Sequence, residues 1–388
     1  VKEVCVIGAG IVGASVAYHL SRLPNVRVTI VDAGYPGAGV TEAGTGWVTA
    51  RGTADEGYRN LRLHGMEEHL RLAELFPSTP WLTVGGTLLT EDADGDFDGT
   101  VAESREHGMP VEVLSAAQVN AQLEPNVVFE RPDLRVAHFT SEFSVIGSLL
   151  TRILFESATE SGAIGHIGSR VIGLGQLSGG RHRVTLDDGT WIDADAVVNA
   201  AGASADQVAG LYGIPMPMRP QPGIGVLVKV NGQPLGRMIT VEGLAIKPEI
   251  DGVIRLRSLL GWKSDVGAAS RDSSFTGGME RNEFVDHVVG QFERVLPGSA
   301  PIRSVVTRVG IRPFPADGLP RVGEVAAVPG YYDAVMHSGG VLAPLIGRLL
   351  AYEIATGEQS ELLAAYRPGR FLETESSLTA GDAAGTTL

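Results

Sequence analysis

Val4-Cys5-Val6-Ile7-Gly8-Ala9-Gly10-Ile11-Val12-Gly13 joins a short apolar strand to Gly-x-Gly-x-x-Gly, and an alanine-rich helix follows at once. Each glycine has a task. Gly8 permits the tight turn, Gly10 lets backbone approach a pyrophosphate, and Gly13 lets helix and strand pack closely. The helix aims free N–H groups and the positive end of its dipole at the phosphates. A second strand, Val26-Arg27-Val28-Thr29-Ile30-Val31, ends in Asp32. That carboxylate lies about twenty residues past the last glycine, where the motif places the acceptor for a ribose hydroxyl. Strand, helix, strand and acid in this order predict a dinucleotide site. The motif does not separate FAD from NAD. Asp32 argues against NADP, whose 2′-phosphate would meet a like charge.

A chain of 388 residues is long enough for two domains. Its net charge of -14 speaks against nucleic acid and against anionic membrane surfaces as partners. No apolar run reaches spanning length. Because strand one begins at once, no leader peptide is expected. The single cysteine, Cys5, excludes an internal disulfide and suits a reducing, cytoplasmic location. It reads as a small buried hydrophobe. Small molecules are the expected partners, with homo-oligomerisation left open.

Outward from the fingerprint, residues 14–22 predict a helix and residues 33–47 a glycine-rich loop whose backbone packs against a flat ligand. Helical periodicity covers residues 56–76, and residues 84–90 are strand-like. The acidic run 91–98 reads as a solvated loop, and no metal site is expected there. Residues 115–122 and 146–161 predict helices. Strands follow at 168–174, 182–186 and 196–199, with Asp187-Asp188-Gly189-Thr190 as a hairpin turn between the last two. The strand run 224–230, 238–241, 244–246 and 253–256 predicts an antiparallel sheet, and residues 280–296 a helix.

Three distant segments carry the functional signal. Val197-Val198-Asn199-Ala200-Ala201-Gly202-Ala203 is an apolar strand ending in a small-residue turn. Gly310-Ile311-Arg312-Pro313-Phe314-Pro315-Ala316-Asp317-Gly318-Leu319-Pro320-Arg321-Val322-Gly323 is the second. His337-Ser338-Gly339-Gly340-Val341-Leu342-Ala343-Pro344 leads into a helix expected over residues 345–356, stopped by Gly357. In combination, the Arg-Pro…Asp-Gly-Leu-Pro-x-x-Gly and His-Ser-Gly-Gly…Ala-Pro-x-x-Gly stretches resemble the FAD-dependent D-amino-acid oxidase superfamily, in its glycine oxidase and sarcosine oxidase branch. The resemblance covers nearly the whole chain before the tail.

The resemblance implies an α/β fold: a Rossmann-like FAD-binding domain with a discontinuous second domain built on an antiparallel sheet. Residues 1–80, 140–218 and 303–370 would form the first, and residues 81–139 and 219–302 the second, with residues 371–388 a disordered tail. It implies FAD held by Gly8, Gly10, Ile11, Val12, Gly13, Asp32, Ala33, Thr41, Gly44, Thr45, Gly46, Trp47, Val171, Ala200, Ala201, Gly202, Gly310, Arg312, Gly339, Gly340, Val341, Leu342 and Ala343. Arg312 would grip the substrate carboxylate through two parallel hydrogen bonds, and His337 would touch substrate or flavin. His64, Ala245, Arg257 and Lys263 are the further substrate-side candidates. Trp47 and Trp262 read as packing residues.

The chain departs from that pattern at several points. Phe314 and Pro315 occupy the neighbourhood where some sarcosine oxidases carry a flavin-linking cysteine, so FAD is expected to be non-covalent. Ala245 stands where glycine oxidases often carry a tyrosine, and His337 or Ser338 where they carry a second arginine. These changes point from glycine toward a bulkier N-substituted glycine, oxidised to an imine with O2 as acceptor and hydrogen peroxide as product. A same-fold dehydrogenase with a quinone or carrier acceptor and a non-catalytic flavin-binding subunit are the rival readings.

Overall fold

The computed structural model describes residues 1–371 apart from residues 94, 220, 233, 259–280, 300 and 301. Lys263, Trp262 and residues 372–388 of the expected tail lie outside the described residues.

The fingerprint strand Lys2–Ile7 lies inside a six-stranded sheet. The spatial order is Arg321–Glu324, Tyr331–Val335, Ala196–Asn199, Lys2–Ile7, Val26–Asp32 and Ile164–Ile167. Neighbours run parallel except the first pair. Val4 and Val6 enter the core on one side, and Cys5 and Ile7 enter a second core on the other. Burial on both faces explains the unbroken apolar run, where a half-exposed strand would alternate.

Glycine sets the closest contacts. A Cβ at Gly13 would lie 1.8 Å from the Gly8 carbonyl oxygen, and one at Gly347 would lie 2.2 Å from Ser15 Oγ. The first contact seats helix Ile11–Ser21 on its strand, and the second lets helix Gly339–Thr356 pack on it. Helix Gly339–Thr356 starts six residues before the predicted position, with Pro344 inside it. Pro344 has no N–H to offer the Gly340 carbonyl. His69 Nε2 bonds that carbonyl instead, at 2.8 Å.

The second sheet has eight strands. Their order is Ser304–Arg312, Gln221–Lys229, Val253–Ser258, Leu244–Pro248, Met238–Val241, Thr87–Thr90, Arg135–Phe139 and Val111–Ser115. All neighbours are antiparallel except Met238–Val241 beside Thr87–Thr90. One face is apolar: Val226, Val228, Ile254 and Leu256 share a core with Val288 and Phe292 of helix Arg281–Val295. Paired residues share a face. The register sets Lys247 beside Arg255, Ala245 beside Arg257, Gly225 beside Arg308 and Gln221 beside Arg312. The other face of the sheet therefore carries a row of cations.

Several expectations need correction. Residues 303–312 do not join the dinucleotide-binding part, because Ser304–Arg312 pairs along its whole length with Gln221–Lys229. The strand expected at residues 84–90 shrinks to Thr87–Thr90, since Gly85 and Gly86 sit at φ of 112° and 90°. The acidic run is not simply solvated. Asp96 accepts from Gly99 N and starts helix Phe97–Glu106, while Arg135 bonds both Glu91 and Asp98. The Asp187–Gly189 turn joins His182–Leu186 to Trp191–Ala194, and Ala196–Asn199 belongs to the six-stranded sheet.

Candidate functional site

A cavity of about 520 Å³ is walled by the fingerprint turn, the Gly339–Thr356 helix start and the cationic face of the eight-stranded sheet. Gly8, Gly10, Ile11, Val12 and Asp32 line it, as do Thr41, Gly44, Thr45, Gly46 and Trp47. Ala200, Ala201, Gly202, Gly310, Arg312, Arg257, His337, Gly339, Gly340 and Val341 complete the expected residues that reach it.

The cradle suits a dinucleotide. Gly8 holds φ of 107°, and a Cβ there would strike the Ala200 carbonyl oxygen at 2.4 Å, so only glycine fits. A Cβ at Gly10 would meet only Thr41 Oγ1 at 3.6 Å, and one at Gly202 or Gly340 would meet nothing within 4 Å. These cavity-lining glycines leave room for a ligand. Helix Gly339–Thr356 has no side-chain cap, so its first N–H groups and dipole remain to serve an electron-rich group. Asp32 accepts from Ala9 N at 2.6 Å and Gly34 N at 2.7 Å, which orients its carboxylate along the cavity wall.

The basic side chains cluster elsewhere on the wall. Arg312 Nη2 donates to Gln221 Oε1 at 2.7 Å, and its guanidinium lies 4.6 Å from the Phe314 ring centre. Burial first, and the Arg257 charge second, push Arg312 down to about 9. Such a guanidinium gains from any anion that enters. Arg257 Nη1 donates to Thr45 Oγ1 at 3.1 Å, and burial lowers it to about 10. His337 is pushed down to about 4 by burial, then by Arg312 and Arg62, so it is neutral near pH 7. Ser338 Oγ connects His337 Nε2, at 3.2 Å, with Tyr58 OH, at 2.5 Å.

Not every expected residue reaches the cavity. His64 is turned outward and pairs with Glu67 at 3.1 Å. Arg62, two residues earlier and so about 200° around the helix, lines the wall instead. Its place in the buried stripe Tyr58, Gly65, His69 and Leu72 of helix Glu56–Leu75 was the missed signal. Ala245 is buried beneath its neighbours and away from the cavity, so it opens no space for substrate. Val171 packs beside the core that holds Val184 and Leu186, and Ala33 is exposed. Gly13, Leu342 and Ala343 stand behind the wall as packing residues. Phe314 was read only for its lack of sulfur, yet its ring contacts both Arg312 and His337. Among the described residues, no cluster of three His, Cys, Asp or Glu side chains could hold a metal ion, and no helix is long and apolar enough to cross a membrane.

Fold and cavity together have the form of a dinucleotide-binding scaffold. The FAD dependent oxidoreductase family model matches residues 3–353, and the chain belongs to that family. Glycine oxidase of Geobacillus kaustophilus is 26% identical over 90% of this chain and 92% of its own length. A crystal structure of glycine oxidase from the same organism superposes with a TM-score of 0.80, covering 95% of this chain and 98% of that one, at 22% identity. Iminodiacetate oxidase from Chelativorans sp. BNC1 is 27% identical, with a TM-score of 0.77 over 94% of this chain and 98% of its own. FAD is the cofactor of the family, and glycine oxidases are among the proteins to which this chain is similar.

Proposed function

We propose that this enzyme is an oxidase of N-substituted glycines, secondary amines that carry a carboxylate. The carrying observation is Arg312, a partly buried guanidinium on the wall of the FAD cavity. Similarity to glycine oxidase and iminodiacetate oxidase supports an amine substrate next to a carboxylate.

Arg312 binds the carboxylate in a fixed plane and so orients the adjacent carbon. Phe314 and Gln221 hold the guanidinium in place. Neutral His337 adds no charge to the amine's surroundings, which favours the unprotonated amine whose lone pair assists C–H cleavage. The helix start at Gly339 offers N–H groups where negative charge must be stabilised. Bound FAD supplies the two-electron acceptor that takes the hydride of the C–H bond. The N–H proton leaves to solvent, and R–NH–CH2–COO⁻ becomes R–N=CH–COO⁻. Water then adds across C=N to give glyoxylate and the amine R–NH2. O2 accepts the two electrons with two protons and leaves as hydrogen peroxide.

The test is anaerobic mixing with glycine, N-methylglycine, D-alanine, L-proline and iminodiacetate, followed by air. Loss of the yellow flavin band with N-substituted glycines and rapid return in air are expected. No bleaching by any N-substituted glycine overturns the substrate class. Slow return in air overturns the oxidase assignment in favour of a dehydrogenase.

A further inference from the structure

The first turn of helix Gly339–Thr356 is intrinsically weak. Gly339 and Gly340 open it, and each glycine in a helix costs about 1 kcal/mol against alanine. Pro344 removes the N–H that the Gly340 carbonyl would otherwise accept, and Ser338 supplies no side-chain cap. The Ser338 carbonyl accepts from Val341 and Leu342 N–H, each at 2.9 Å. The N–H groups of Gly339 and Gly340 therefore have no acceptor within the helix. Ser338, Gly339, Gly340 and Val341 all line the cavity.

Helix Glu56–Leu75 ties this turn down at three points. Tyr58, Gly65 and His69 follow one another at helical spacings and share its buried stripe. Tyr58 OH bonds Ser338 Oγ at 2.5 Å. A Cβ at Gly65 would lie 2.7 Å from the Val341 carbonyl oxygen, so only glycine lets the two helices meet here. His69 Nε2 bonds the Gly340 carbonyl oxygen at 2.8 Å.

The third contact explains why a histidine stands at this position. The ring is fully buried, with the Trp81 ring centre at 5.7 Å and the Phe143 ring centre at 5.9 Å. Burial pushes it down to about 4, against the pull of the Gly340 and Val341 carbonyls, so it is neutral near pH 7. A carbonyl can only accept, which places the single ring proton on Nε2. Nδ1 is left buried without a hydrogen-bond partner, at a cost that an apolar residue of the same size would not incur. Packing alone would favour leucine, whereas the orphaned Gly340 carbonyl calls for a donor.

We propose that His69 is a positioning residue of the cofactor site, which holds the Ser338–Val341 turn, together with Tyr58, so that the Gly339 and Gly340 N–H groups stay turned to the cavity. It acts through the backbone and is not part of the cavity wall. Fixed N–H donors favour the electron-rich reduced state of FAD over the oxidised state, because added negative charge strengthens each hydrogen bond. Without His69, the Gly340 peptide unit turns toward another donor, and two successive glycines offer little resistance. The inference concerns FAD in this cavity and is independent of which amine is oxidised.

The test measures the two-electron midpoint potential of bound FAD by equilibration with a reference dye. Flavin fluorescence gives the dissociation constant of oxidised FAD. His69→Leu removes the donor at similar volume. It is expected to weaken reduced FAD about tenfold more than oxidised FAD, the size of one hydrogen bond to a charged group, which lowers the potential by about 30 mV. His69→Gln, whose amide can donate to the same carbonyl, should recover part of that shift. Tyr58→Phe, which lacks one oxygen, should also lower the potential. Leu154→Ala, in the apolar core on helix Gly147–Glu160, should lose stability with its potential unchanged. An unchanged potential in folded His69→Leu, or an equal fall in Leu154→Ala, overturns the positioning role. If His69→Leu gives no folded, flavin-bearing protein, Tyr58→Phe decides: a lower potential upholds the role and an unchanged one overturns it.

Discussion

The rings of Phe314 and His337 stack at 4.1 Å, within 15° of parallel, and the Arg312 guanidinium sits 4.6 Å from the same Phe314 ring centre. Neutral His337 can stack in this way without repelling Arg312. Replacing Phe314 with leucine removes the aromatic brace while keeping bulk. The KM of an N-substituted glycine is expected to rise about tenfold, as one cation–π contact is lost, with a smaller change in kcat. Steady-state kinetics under air check this; an unchanged KM would mean that the Phe314 ring does not hold the guanidinium.

Two glycines of the fingerprint serve different masters. A Cβ at Gly13 would lie 1.8 Å from the Gly8 carbonyl oxygen, whereas a Cβ at Gly10 would meet only Thr41 Oγ1 at an ordinary 3.6 Å and would enter the cavity. Gly13→Ala is expected to give no soluble folded protein. Gly10→Ala should fold, with unchanged far-ultraviolet dichroism, and bind FAD at least tenfold more weakly. The yield of soluble protein reads the first variant, and flavin fluorescence titration of purified Gly10→Ala against wild type reads the second.

Three histidines, one fully buried and two partly buried, make the fold acid-sensitive. Burial pushes His19, His69 and His337 each down from 6.5 to about 4. Between these values the unfolded chain binds protons that the folded chain does not, so stability falls as pH drops from 6.5 toward 4. The loss at pH 5 is on the order of 2 kcal/mol per histidine. Urea unfolding at pH 7.5, 6 and 5 reads it, and His69→Gln should flatten the slope. A stability that is constant across this range contradicts the assignment.

Flavin should be released intact by acid precipitation. The sole cysteine, Cys5, lies fully buried in the first strand, where desolvation pushes its thiol up to about 12 and keeps it unreactive. After trichloroacetic acid the yellow colour is expected in the supernatant. Colour in the pellet would show a covalent link through another residue.

The first strand, fingerprint and Asp32 were legible because strand, turn and helix follow one another within about thirty residues. The antiparallel sheet was legible from its alternation and turns. Helix Phe97–Glu106 was hidden by its acidic surroundings, since Asp92, Asp96 and Asp98 read as solvent-facing before Asp96 is seen to cap a helix. Residues 303–312 were placed with the FAD-binding domain by resemblance, because nothing local in the sequence names Gln221–Lys229 as the partner of Ser304–Arg312. His64 was preferred to Arg62 by resemblance, although helical geometry puts Arg62 with the buried stripe. The cationic face could not be read at all in advance. It arises from register between strands as far apart in sequence as Gln221 and Arg312.

The most direct measurement is the affinity of Arg312→Leu for two ligands at once. (Methylthio)acetate reports the carboxylate grip, and FAD reports the cofactor cradle. The account predicts a loss of about 100-fold or more for the carboxylate with FAD affinity within a few-fold of wild type. Equal losses for both, or no loss for the carboxylate, would contradict it.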